Sequence, residues 1–180
     1  MSLEQLIKEC KKNKTQAQSQ IYKLLSSKLF SVCLKYSRNR AEAEDNLQDA
    51  FITIFKKIGQ YKNKGSFEGW ARRITVNTAL QRYRSPGVFD IVNEEQIEDV
   101  SIEIDDDAVS IDYLLQIIQE LPDRYRLVFN LYAMDDYPHK EIARMLNIST
   151  GTSKSNLARA RLILKEKVEK YKANHNSQSL

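Results

Sequence analysis

Glycine and proline are scarce, 5 and 3 among 180 residues. That scarcity, beside many Leu, Ile, Lys, Glu and Gln, disfavours turn-rich β architectures and favours helix along most of the chain. Cysteine is nearly absent. Cys10 and Cys33 stand apart, each on an apolar helical stripe, and no Cys-x-x-Cys pair occurs. Neither a disulfide framework nor a zinc site is expected, and the compartment that fits is the reducing cytoplasm. His139 and His175 lack ligand spacing, so no metal or cofactor is expected. No apolar run approaches the roughly 20 residues of a membrane span, and the N-terminus does not have the form of a signal peptide. A Gly-rich phosphate loop and a Ser/His/Asp or Cys/His constellation are also missing, which leaves catalysis without support.

What is present is segregated charge. Residues 1–89 carry 17 Lys/Arg against 7 Asp/Glu, residues 90–120 carry none against 11, and residues 121–180 carry 11 against 6. Two basic blocks flanking an acidic one fit two polyanion-binding domains on an acidic connector. Two solvated helical domains on a soluble tether would show the same pattern.

The stretch Tyr137–Arg161, YPHKEIARMLNISTGTSKSNLARAR, has the form of two helices joined by a tight turn. Pro138 suits a first helical turn. Ile142, Ala143 and Leu146 share a face, and Asn147 tolerates the left-handed backbone that a sharp turn needs. Ser149 or Thr150 is placed to cap the second helix. That helix opens polar and basic with Thr150, Thr152, Ser153, Lys154 and Asn156, then turns apolar at Leu157, Ala160, Leu164, Val168 and Tyr171. Hydroxyls, an amide and a cation at a helix N-terminus suit base edges and phosphates, as in a helix-turn-helix. An ordinary helical hairpin with a solvated face is the alternative.

Upstream, Ser2 with Gln5 and Thr15 with Gln18 fit capping boxes. The second opens a long helix with Ile21, Leu24, Leu25, Leu29, Val32, Cys33 and Tyr36 in register. After a polar break at Arg38–Arg40, a helix with an acidic start continues through Leu47, Phe51, Ile54, Phe55 and Ile58 to a stop at Gly59. Asp45, Gln48 and Asp49 fall on its outer surface. Tyr61–Gly65 is a basic turn, Ser66 a cap, and Phe67–Arg84 a helix in which Trp70 and Tyr83 alternate with Arg72, Arg73, Asn77, Arg82 and Arg84. Aromatic rings among cations fit single-stranded nucleic acid; the same rings serve equally as core. Ser85, Pro86 and Gly87 end this segment, and no period persists through the acidic residues before Ile111. The expected fold is all-α: two small helical domains, 1–86 and 110–173, joined by an acidic flexible linker at 87–109. The second ends in the helix-turn-helix, and 174–180 forms a fraying tail.

Three stretches, AEAEDNLQDAFITIFKKI from Ala41, GSFEGWARRITVNTALQRYR from Gly65 and LPDRYRLVFNLYAMDDYPHKEIARMLNISTGTSKSNLARAR from Leu121, occur in this order. Together they resemble the extracytoplasmic-function (ECF) family of RNA polymerase sigma factors. The resemblance implies a non-catalytic specificity subunit that joins core RNA polymerase and directs it to promoter DNA. The first domain would bind the clamp helices of the largest polymerase subunit through Asp45, Gln48 and Asp49. It would also open the minus-ten element, with Asn63, Lys64, Gly65, Ser66 and Phe67 holding a flipped base and Trp70, Arg73 and Asn77 beside it. The second would dock on the polymerase flap through Leu121–Tyr132. It would read the minus-thirty-five element with Thr150, Thr152, Ser153, Lys154, Ser155 and Arg159. An anti-sigma factor is the expected kind of regulator. Ser153 stands where the family usually carries an aliphatic residue, and Asn147 where it carries the turn glycine. The competing reading is a stand-alone helix-turn-helix regulator that binds a palindromic operator without polymerase.

Overall fold

The computed structural model describes residues 1–85, 87–89 and 109–178, so most of the acidic linker expected at 87–109 lies outside the described residues. The chain divides into two compact units, Met1–Arg82 and Tyr83–Leu180. Every regular element among the described residues is helical. None of these helices is long and apolar enough to cross a membrane.

The first unit is built from α1 (Leu3–Cys10), α2 (Thr15–Tyr36), α3 (Arg40–Lys57) and α4 (Phe67–Leu80). The Ser2 capping box forms as the sequence requires, with Ser2 Oγ accepting from the Gln5 N–H and Gln5 Oε1 from the Ser2 N–H. The box expected at Thr15 does not. Asn13, with φ 58°, turns the chain there, and the Lys14 N–H donates to the Glu9 carbonyl. Lys14 becomes the N-cap and Thr15 is already helical. Ile21, Leu25, Leu29 and Cys33 of α2, Leu47, Phe51 and Ile54 of α3, and Phe67 and Ala71 of α4 close one core, which Leu6, Ile7 and Cys10 of α1 complete. Leu24, placed in that stripe by its spacing, is instead 56% exposed. Burial pushes the Cys33 thiol up to about 12, which keeps it protonated and unreactive at neutral pH. A buried polar link ties the far end of the unit. Asn46 Nδ2 donates to Ser37 Oγ at 2.9 Å, and Asn46 Oδ1 accepts from Arg82 Nε at 2.8 Å. Helix α3 does not end on a left-handed Gly59; a single 3-10 turn, Ile58–Gln60, carries that glycine. Helix α4 stops at Leu80, short of the expected Arg84, in another 3-10 turn.

The second unit packs α5 (Ile111–Gln119), α6 (Asp123–Phe129) and α7 (His139–Leu146) against the long α8 (Thr150–Asn176). Val109, Ile117, Leu121, Tyr125, Ala160, Leu164 and Val168 form a buried cluster in it. Between α6 and α7 the chain widens into a π-helical turn, Asn130–Met134, closed by the Asp135 N–H on the Asn130 carbonyl. Uniform helical spacing does not anticipate this turn. It buries Leu131 completely and leaves Tyr132 half-buried, facing His139. Helix α8 also runs further than expected. Tyr171 stacks on Tyr113 and on His175, and the Ser177 N–H closes on Ala173, so residues 174–176 are helical rather than frayed.

Candidate nucleic-acid interface

In the first unit the loop ahead of α4 is held from beneath. Tyr61 is buried; its hydroxyl donates to the Gly65 carbonyl at 2.8 Å, and its own carbonyl accepts from Lys11 Nζ at 3.1 Å. Above it Lys62, Asn63, Lys64, Gly65 and Ser66 are all exposed, and Asn63 (φ 56°) and Gly65 (φ 78°) take left-handed backbone. Ser66 Oγ then caps α4 by accepting from the Gly69 N–H at 3.0 Å. A side chain at position 69 would meet that oxygen at 2.9 Å, so the serine would have to give slightly. Tyr61, Phe67 and Trp70 form a mutual aromatic set, centroids 5.2–5.5 Å apart.

This geometry divides the expected minus-ten residues. Trp70, Arg73 and Asn77 lie at i, i+3 and i+7 on one face of α4, with Arg73 exposed and the other two half-buried. Asn77 Nδ2 donates to the Arg73 carbonyl at 3.0 Å. Phe67 is a correction to the expected set. Only 2% exposed, its ring is committed to the core and supports Trp70 rather than facing a ligand. No local sequence pattern marks Lys11 and Tyr61 as loop supports, because the lysine bonds a carbonyl 50 residues away.

Asp45, Gln48 and Asp49 are exposed on α3, as its helical period requires. Ile52 extends the same line and is 66% exposed. The signal that marks it in the sequence is a large apolar residue of α3 that falls outside the buried stripe.

The second unit shows the helix–turn–helix geometry. Asn147 adopts φ 55° and ψ 48°, and the Ile148 N–H closes on the Ala143 carbonyl. Ser149 Oγ accepts from the Thr152 N–H at 3.0 Å. Thr150 and Lys154 are exposed at the start of α8, and Thr152, Ser155 and Arg159 are half-buried. Ser155 Oγ donates to the Thr152 carbonyl at 3.1 Å. Arg159 Nε is buried with no hydrogen-bond partner among the described residues. Ser153, expected among the DNA-contacting residues, is fully buried. Its hydroxyl lies 2.8 Å from His139 Nδ1 on α7, so it faces the partner helix and not solvent. Asn156 is buried as well. The face that remains carries hydroxyls and cations, which donate to phosphate and base oxygens.

A family model for Sigma-70 region 2 matches residues 21–87, and one for Sigma-70, region 4 matches residues 111–164. The chain is 29% identical over 182 residues to the ECF RNA polymerase sigma factor SigW of Bacillus subtilis, covering 93% of this chain and 97% of that one. It is 28% identical over 142 residues to the ECF RNA polymerase sigma-E factor of Escherichia coli, covering 71% and 74%. Among solved structures it matches the sigma factor RpoE of Bartonella quintana, determined in complex with the anti-sigma factor NepR. The TM-score is 0.52 at 22% identity, over 84% of this chain and 96% of that one, a likeness of fold. Two region models in order across about two thirds of the chain, with a relative aligned along nearly all of it, establish that this protein belongs to the ECF family of RNA polymerase sigma factors.

Proposed function

We propose that this sigma factor joins core RNA polymerase as a dissociable specificity subunit and divides its promoter between two differently built surfaces. The exposed loop Asn63–Ser66, beside half-buried Trp70 and the polar flank of α4, takes an unstacked base of the minus-ten element. Extracting a base costs a few kcal/mol, and stacking plus hydrogen bonds in a sheltered site offset that cost. Helix α8 enters the major groove of the minus-thirty-five element. Thr150, Thr152, Lys154 and Ser155 lie nearest the bases, and Arg159 serves a phosphate. The acidic line Asp45–Gln48–Asp49, with Ile52 continuing it, meets the polymerase clamp, and the Leu121–Tyr132 region meets the flap. An anti-sigma factor would act by covering these polymerase-facing surfaces.

The observation that carries this reading is the loop ahead of α4. Five consecutive exposed residues stand on a buried Tyr61 and an aromatic bed, an arrangement that a duplex-only regulator has no use for. The test is reconstitution with bacterial core polymerase. The purified protein is expected to co-elute with core and start transcripts at promoters, and permanganate is expected to detect unpaired thymines at the minus-ten element. Alone it should bind duplex weakly. Tight binding of the lone chain to paired half-sites, with no stimulation of core, would replace this reading with that of a stand-alone regulator.

A further inference from the structure

We infer that His139 is a positioning residue for α8: through Ser153 it fixes the rotation of that helix and so sets which bases are preferred. This rests on the proposed reading of α8 as the duplex-reading element. Ser153 is 0% exposed, and a buried hydroxyl without a partner is costly. The His139 ring meets that need, with Nδ1 2.8 Å from Ser153 Oγ. The imidazole is itself clamped. It stacks on Tyr132 with centroids 4.6 Å apart and planes 19° from parallel, while the Arg161 guanidinium of α8 lies 5.8 Å from the Tyr132 ring centre. Helix α8 therefore grips the preceding segment at two points two turns apart, Ser153 on the imidazole and Arg161 on the phenol ring that backs it.

An apolar contact at position 153 would tolerate sliding and rolling, whereas a hydroxyl–imidazole bond is directional. With a helix about 10–12 Å across its side chains, a roll of about 20° moves the outer tips by roughly 2 Å. That is enough to lose a base-edge hydrogen bond made by Thr152, Lys154 or Ser155.

The experiment uses holoenzyme assembled from the full chain and core polymerase, transcribing a promoter library randomised across the upstream element. Thermal unfolding of the free chain is followed in parallel. Ser153→Ala removes the bond with little other change and is expected to reduce base discrimination about tenfold at one or more upstream positions. His139→Leu should do the same. His139→Asn, whose amide can meet the same hydroxyl, is expected to keep the wild-type preference. The double variant His139→Leu, Ser153→Val should recover thermal stability while its base preference stays altered. Unchanged preference in Ser153→Ala, or a double variant that recovers stability and preference together, overturns the inference and leaves the reading of α8 standing. A wild-type holoenzyme with no upstream preference overturns both.

Discussion

Ahead of α4 the backbone passes through two left-handed residues, Asn63 and Gly65, before Ser66 caps the helix; ahead of α8 it passes through one, Asn147, before Ser149 does so. The two caps have the same length, 3.0 Å. The difference lies in what stands around them. The first cap ends an exposed basic loop whose foot is buried aromatic surface. The second ends a short turn and leaves the helix terminus itself exposed. On the proposed reading, the first offers an unstacked base a ring to lie on and donors to meet. The other offers a rigid cylinder end that fits a groove. On that proposed reading, backbone rather than composition sorts similar residue types into one surface for a separated base and one for paired strands.

The strongest way to break this comparison is to attack the aromatic bed. Phe67→Ala removes a ring that is 2% exposed and is expected to destabilise the first unit by about 3–5 kcal/mol. Urea unfolding followed by the fluorescence of Trp70, the only tryptophan, reads that unit directly. If Phe67 were instead a platform for a base, stability would hold and only promoter opening would fail.

A smaller, sharper pair separates the two surfaces by function. Asn77→Ala should lower permanganate reactivity at the minus-ten bubble while leaving upstream binding intact. Lys154→Ala should weaken promoter complexes through the upstream element by about 1–3 kcal/mol and relax the base preference there, as for one lost base contact. Equal opening defects in both variants would dissolve the division of labour.

Legibility from sequence followed the range of the interactions. The Ser2, Ser66 and Ser149 caps and the left-handed Asn147 are decided within four residues, and each stands where its neighbours require. So does the exposed line Asp45–Gln48–Asp49, which helical period alone places outside. Thr15 misled because the turn at Asn13, anchored on Glu9, brings the chain into helix one residue early. Ser153 and Phe67 were expected at the nucleic acid because they sit among residues suited to it. Their burial is set by α7 and by Tyr61, which spacing within their own helices does not encode. Tyr132 turns on the π-helical segment before α7, a widening with no signature in the hydrophobic period.

The smallest expected effect tests the backbone claim itself. At Gly65 an added Cβ would meet nothing within 4 Å, so any cost of substitution comes from φ +78° and not from crowding. Gly65→Ala should therefore cost about 1–2 kcal/mol, the penalty for left-handed backbone in an ordinary residue. Gly65→Asn should cost clearly less, because asparagine already holds the equivalent conformation at 13, 63 and 147. The reciprocal change, Asn147→Gly, should shift stability by no more than about 0.5 kcal/mol, since position 147 is exposed and either residue accepts its φ of 55°. Equal losses for Ala and Asn at position 65 would mean that something other than backbone handedness selects glycine there. Handedness of the backbone at Gly65 would then no longer explain why the two caps present such different surfaces.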